Sequence, residues 1–163
     1  MANSWHCWAT RLTTYAILNA DDFGLSPGIN RGIIEAHRQG ILTSASLMVA
    51  GDAFEEAVAL SHEHSSLSLG VHLTFVEGKP ILPPGTVPSL VTADGRFCQS
   101  LGRFLLEWST GQIRMKDVER GFAAQIEKAM DHGVRIDKLD SHMHVHLLPG
   151  IFQVAQAVAS NMA

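Results

Sequence analysis

The stretch Tyr15-Ala16-Ile17-Leu18-Asn19-Ala20-Asp21-Asp22-Phe23-Gly24-Leu25-Ser26-Pro27 changes character twice, and that change decides the fold class. Residues 15–18 form a short apolar run that reads as a buried strand, running into a polar turn over residues 19–24. Ser26 then has the character of an N-cap, with Pro27 at the first helical position. Ile29, Ile33, Ile34 and Ala36 follow at helical spacing, and Gly40 supplies a left-handed stop. A strand, a polar turn and a capped helix, in that order, open a β/α unit.

Working outward, the same alternation recurs. Residues 45–50 read as a second strand ending at Gly51, and Phe54, Ala57, Val58 and Leu60 mark a helix over 53–62. Residues 67–73 alternate as a third strand. Val118, Phe122, Ile126 and Met130 recur along a helix over 116–132; Gly133 ends it, and residues 136–139 begin a fourth strand. Shorter helices are expected over 101–108 and 149–161. The intervening excursion carries Pro80, Pro83, Pro84, Pro88 and an Ala93-Asp94-Gly95 turn. Its length suggests a functional loop or lid.

Helices followed promptly by strands match βαβ crossovers, so the expected class is α/β with parallel β/α architecture. A complete (β/α) barrel takes ~250 residues, and about four strands make up roughly half of one. The expectation is therefore the N-terminal part, about half, of a TIM-like (β/α) barrel over residues 15–163, preceded by a tail over 1–14.

The chain has 163 residues, 46% hydrophobic and 17% charged, as in a soluble globular domain. A net charge of −4 gives no basic footprint for nucleic acid. No apolar run approaches the ~18 residues of a membrane span. Residues 1–14 lack the apolar core of a signal peptide. Cys7 and Cys98 match no zinc spacing and read as free thiols in a reducing cytoplasm, so the expected location is cytoplasmic. A half-barrel exposes strand edges and apolar helix faces, so the expectation is a homodimer or poor solubility.

Three polar clusters fall where strands are expected to end: Asp21-Asp22, His72, and Asp140-Ser141-His142-Met143-His144-Val145-His146. In parallel β/α folds those ends gather on one face, where ligands bind. A period of two would set His142, His144 and His146 on one side. One carboxylate and two imidazoles suit a divalent metal and leave positions open for water and substrate. Two adjacent carboxylates can divide the work, one holding the metal and the other acting as general base. Taken singly, each cluster has a bland reading, a solvated turn or a half-buried histidine; together they favour a site. His37, His62, His64 and His132 read as solvated.

Several motifs together resemble the YdjC-like carbohydrate deacetylases. They are Leu18-Asn19-Ala20-Asp21-Asp22-Phe23-Gly24-Leu25-Ser26, Gly28-Ile29-Asn30-Arg31-Gly32-Ile33-Ile34-Glu35-Ala36, Gly40-Ile41-Leu42-Thr43-Ser44-Ala45-Ser46, Gly70-Val71-His72-Leu73-Thr74 and Leu139-Asp140-Ser141-His142-Met143-His144-Val145-His146. The resemblance runs over residues 15–157. It implies a deformed barrel that removes the acetyl group from N-acetylated amino sugars such as chitooligosaccharides. By position it implies Asp22, His72 and His142 as metal ligands, with Mg2+, and Asp21 as catalytic base. His144 and His146 are assigned to substrate or to the surroundings of the ligands, and one of them would have to protonate the leaving amine. On donor chemistry alone, Zn2+, Co2+ or Mn2+ fits better than Mg2+, which prefers oxygen octahedra.

Ser46-Leu47-Met48-Val49-Ala50-Gly51 and Asp94-Gly95-Arg96-Phe97 look most like the branch linked to hopanoid biosynthesis, whose substrate is an N-acetylglucosaminyl lipid. The resemblance also implies later strands and a further histidine motif beyond the position of Ala163. Two other readings stay open: a metal-dependent phosphoesterase or other amidohydrolase, and an inactive or partner-dependent metal- or sugar-binding fragment. The absence of a G-x-x-x-x-G-K-[ST] loop disfavours phosphate substrates.

Overall fold

Ser26 caps the first helix as its sequence demands: its hydroxyl accepts a hydrogen bond from the Ile29 N–H, and Pro27 opens the helix. The computed structural model describes residues 15–161; the expected tail over 1–14, with Cys7, lies outside them. Strands β1 (Asn19–Phe23), β2 (Ser44–Leu47), β3 (Ser68–Leu73) and β4 (Lys138–Ser141) alternate with helices. These are α1 (Pro27–Gln39), α2 (Phe54–Glu63), α3 (Leu101–Ser109), α4 (Met115–Asp131) and α5 (Ile151–Asn161). Single 3-10 segments occupy Pro84–Thr86 and His142–Leu147.

All four strands are parallel, in the order β1-β2-β3-β4. Register sets Ser46 beside Gly70 and Gly70 beside Lys138, with His72 beside Asp140. Strand alternation then assigns these residues to one face, and Ala45, Leu47, Leu69, Val71, Leu73 and Leu139 to the other. The second group joins the hydrophobic core with Phe54, Phe122 and Ile126 from the helices. A parallel α/β sheet is thus what the strand–helix alternation anticipated.

Three local expectations are corrected. The first strand is Asn19–Phe23, not residues 15–18, so the acidic pair sits inside the strand rather than on a turn after it. Tyr15 and Ile17 are 88% and 81% exposed and bury nothing, while pairing to Thr43 and Ser44 begins only at Leu18. Gly40 is extended (φ −119°), not left-handed; it is glycine because a Cβ would meet the Ala36 carbonyl oxygen at 2.7 Å. Residues 142–146 are a kinked 3-10 segment with Met143 and His144 left-handed (φ 57° and 55°), so the three histidines do not alternate along an extended chain.

The excursion after β3 has a core of its own. Phe75 stacks on Phe122 with ring centroids 4.5 Å apart, and Phe97 meets Phe75 edge-on. Gly121 makes this possible, since a Cβ there would lie 2.6 Å from the Phe75 ring. Gln125 on α4 closes a buried amide pair with the backbone of Thr74, and Asp117 accepts from the Ser89 N–H. Of the four histidines expected to be solvated, His37 is partly buried between the Leu42 carbonyl and Ser66. His62 is exposed, and its Nε2 lies 3.2 Å from the His132 carbonyl.

Candidate metal centre

Asp21 and Asp22 both face the site because β1 carries an extra residue. Ala20 pairs with Ala45 and Phe23 with Leu47, so three steps on β1 answer two on β2. Asp22 absorbs the mismatch at φ 64°, a left-handed conformation that costs a non-glycine residue of order 1 kcal/mol or more. A β-bulge re-aims side chains in this way. Without it, strand alternation would send one carboxylate to the core.

Each remaining group comes from a strand end. His72, on β3, is 3% exposed, and its Nδ1 lies 2.7 Å from Asp140 Oδ1 on β4. Asp140 must accept, so Nδ1 carries the proton and the Nε2 lone pair points 3.4 Å from Asp22 Oδ1. His142, just past β4, sets Nδ1 3.2 Å from the same Asp22 oxygen, and its Nε2 lies 3.8 Å from Glu77 Oε2. Asp22, His72 and His142 each bring a donor atom within 4.8 Å of the others'. A neutral imidazole lone pair facing a carboxylate oxygen is a repulsive arrangement unless a cation lies between them. The donor set therefore fits a divalent ion.

A second grouping, Asp21, His72 and Asp140, meets the same distance condition and shares His72 with the first. Burial works against ionisation of Asp140, but hydrogen bonds from His72 and Ser46 and the nearby Lys138 charge outweigh it. Its carboxyl is held below the usual range. Lys138 is shifted down from the ordinary lysine value, chiefly by burial, against the pull of Asp140 and Asp21.

The other two site histidines belong to neither ligand grouping. His144 is exposed. His146 turns back so that Nδ1 meets Ser141 Oγ at 2.7 Å, and burial is the main cause lowering its pKa. The residues that sequence reasoning gave no role are Asp140, Glu77, Ser46, Asn19 and Lys138. Asp140, Ser46 and Asn19 lie in quoted motifs; Glu77 and Lys138 carry no local signal.

The family model described as YdjC-like protein matches residues 15–163. The chain belongs to that family. Curated relatives in the family include carbohydrate deacetylases of Brevibacillus brevis and Geobacillus stearothermophilus. Each is 40% identical, over 88% and 89% of this chain and 54% and 56% of the relative. A crystal structure from Enterococcus faecalis, named as a candidate cellobiose-phosphate cleavage protein, superposes with a TM-score of 0.79 at 38% identity. That match covers 89% of this chain and 55% of the other. The chain thus spans about half the length of the relatives it matches. Among the described residues, no helix is long and apolar enough to cross a membrane.

Proposed function

We propose that this chain carries the ion-binding and base-supplying part of a carbohydrate N-deacetylase, a hydrolase acting on the acetamido group of an N-acetylated amino sugar. The observation that carries the reading is the bulged Asp21-Asp22 pair, which sets one carboxylate against His72 and His142 and leaves a second beside them. The names of the relatives supply the substrate class.

Asp22, His72 and His142 would hold the ion. Bound there, a divalent ion supplies Lewis-acid polarisation of the acyl carbonyl and acidifies water. Asp21 is the base: Asn19 Nδ2 donates to its Oδ1 at 2.7 Å, which leaves the other carboxylate oxygen to take the proton of the attacking water. The leaving amine needs a proton, and His144 and His146 are the nearby groups able to give one; both are assigned to the substrate side. Mg2+ is the ion the family resemblance implies. Two imidazole nitrogens and one carboxylate favour Zn2+, Co2+ or Mn2+. The sugar is a chitooligosaccharide-like chain or an N-acetylglucosaminyl lipid, acted on in the cytoplasm.

For assembly, the reading is a homodimer through the open edge of β4. Beside that edge lies a groove of about 540 Å3 lined by Ile136, Leu139, Phe152 and Ala155. Sedimentation that finds only monomer would remove this part of the proposal.

The test is acetate release from N-acetylglucosamine oligomers, run beside p-nitrophenyl phosphate as the competing substrate, with each ion and with chelator. Metal-dependent acetate release is expected, and Asp21→Asn should abolish it while leaving ion binding near wild type. Full activity in Asp21→Asn would remove the role given to that carboxylate. Ion binding without turnover on either substrate would make the chain a binding fragment.

A further inference from the structure

Beneath the ligand cluster, the same face of the sheet holds an ammonium group that the proposed reaction does not use. Lys138 starts on β4, and its side chain crosses β3 at its register partner Gly70. A Cβ on Gly70 would lie 2.4 Å from Lys138 Cγ and 2.7 Å from the Lys138 carbonyl oxygen, so glycine keeps that path open. Nζ donates to Asn19 Oδ1 at 2.5 Å, to Ser46 Oγ at 3.0 Å and to the Ala45 carbonyl at 3.4 Å. Those three bonds use all its protons. Asp140 Oδ2 is 3.8 Å away.

An ammonium accepts nothing, so its protons dictate the direction of every bond that follows. Asn19 must turn Oδ1 toward Nζ, and its Nδ2 therefore donates to Asp21 Oδ1 at 2.7 Å and Ser46 Oγ at 2.9 Å. Ser46 Oγ accepts from both Asn19 and Lys138, so its single proton goes to Asp140 Oδ2 at 2.5 Å. Asp140 Oδ1 takes the Nδ1 proton of His72 at 2.7 Å, and Nε2 is left as the free acceptor on the Asp22 side.

We propose that Lys138 is a positioning residue: through Asn19 it aims Asp21, and through Ser46 it holds the Asp140 carboxylate in line with His72 Nδ1, which sets the direction in which the ring presents Nε2 to Asp22. Its consequence for ion affinity rests on the metal-centre reading above; its consequence for the Asp140–His72 hydrogen bond does not. Replacing the ammonium by a thioether frees Asn19 to flip and present Oδ1 to Asp21, and frees the Ser46 proton to leave Asp140.

The experiment is imidazole 15N NMR of the whole chain, paired with Co2+ titration followed by visible absorption, on wild type, Lys138→Met and Ser46→Ala. Wild-type His72 should show one neutral tautomer protonated at Nδ1. In Lys138→Met the Nδ1–H resonance should move and its proton exchange faster as the bond to Asp140 loosens, and Co2+ affinity should fall about tenfold or more, as for other partners that orient a ligand. Ser46→Ala, which removes one oxygen from a buried site, should shift both readouts the same way but less. Unchanged His72 resonances in folded Lys138→Met overturn the proposal; if that variant does not fold, unchanged resonances in Ser46→Ala do. A moved Nδ1–H resonance in a chain that binds no Co2+ would sink the metal centre and leave the Lys138 role standing. Equal Co2+ binding with an unmoved Nδ1–H resonance would do the reverse.

Discussion

On one face the sheet presents Leu47, Val71 and Leu73, all fully buried within the hydrophobic core. On the opposite face the same strands present Ser46, Gly70 and His72, beside Lys138 and Asp140. The first face is held by apolar area and tolerates apolar side chains of about the right volume. The second is held by hydrogen bonds whose directions are coupled, so each member has one acceptable identity and orientation. The comparison teaches that stability and chemistry are separated by a strand's period of two, and that, among the described strands, the Asp21-Asp22 bulge is where the period is broken to serve the site.

That separation can be broken from either side. Phe122→Ala should have the largest effect. The ring is fully buried and stacked on Phe75, and its loss should cost about 3–5 kcal/mol in urea denaturation. Co2+ stoichiometry in the folded protein should stay unchanged. A cost below about 1 kcal/mol would mean that the excursion after β3 is not anchored at α4. His72→Ala attacks the other face. Co2+ affinity should fall more than about 100-fold, beyond the loss expected from removing an orienting partner alone. A fall below tenfold would remove His72 from the ligand set.

The smallest effect is the finest probe. Ser44 Oγ is buried without a hydrogen-bond partner among the described residues, on the polar face but below the network. Ser44→Ala should be neutral or stabilising by up to about 1 kcal/mol, because it removes an unsatisfied oxygen. It should leave Co2+ affinity untouched. Destabilisation beyond that would mean that the polar network reaches further down the face than its hydrogen bonds indicate.

The apolar face was legible in the sequence because its signals are periodic. Val118, Phe122 and Ile126 on α4 declare a helix that buries one side, and all three are core residues. The polar face was legible only in part. β1 was misplaced because Asn19, Asp21 and Asp22 carry chemistry where a strand would ordinarily carry apolar residues, so the apolar run before them was taken instead. The His142–Leu147 segment was misread because left-handed Met143 and His144 leave no mark in residue type. Lys138 and Ser46 were missed for another reason. The bonds joining them to Asn19 and Asp140 span 119 and 94 residues, and only the register of parallel strands brings those ends together.

The two candidate groupings share His72 but differ in their carboxylates, and that makes the deciding measurement simple. Anomalous diffraction at the zinc edge, from crystals grown with Zn2+, locates the ion directly. The account predicts one ion within about 2.0–2.2 Å of Asp22, His72 Nε2 and His142 Nδ1, with Asp140 still bonded to His72 Nδ1. An ion held instead between Asp21, His72 and Asp140, or no ion at this face, would contradict it.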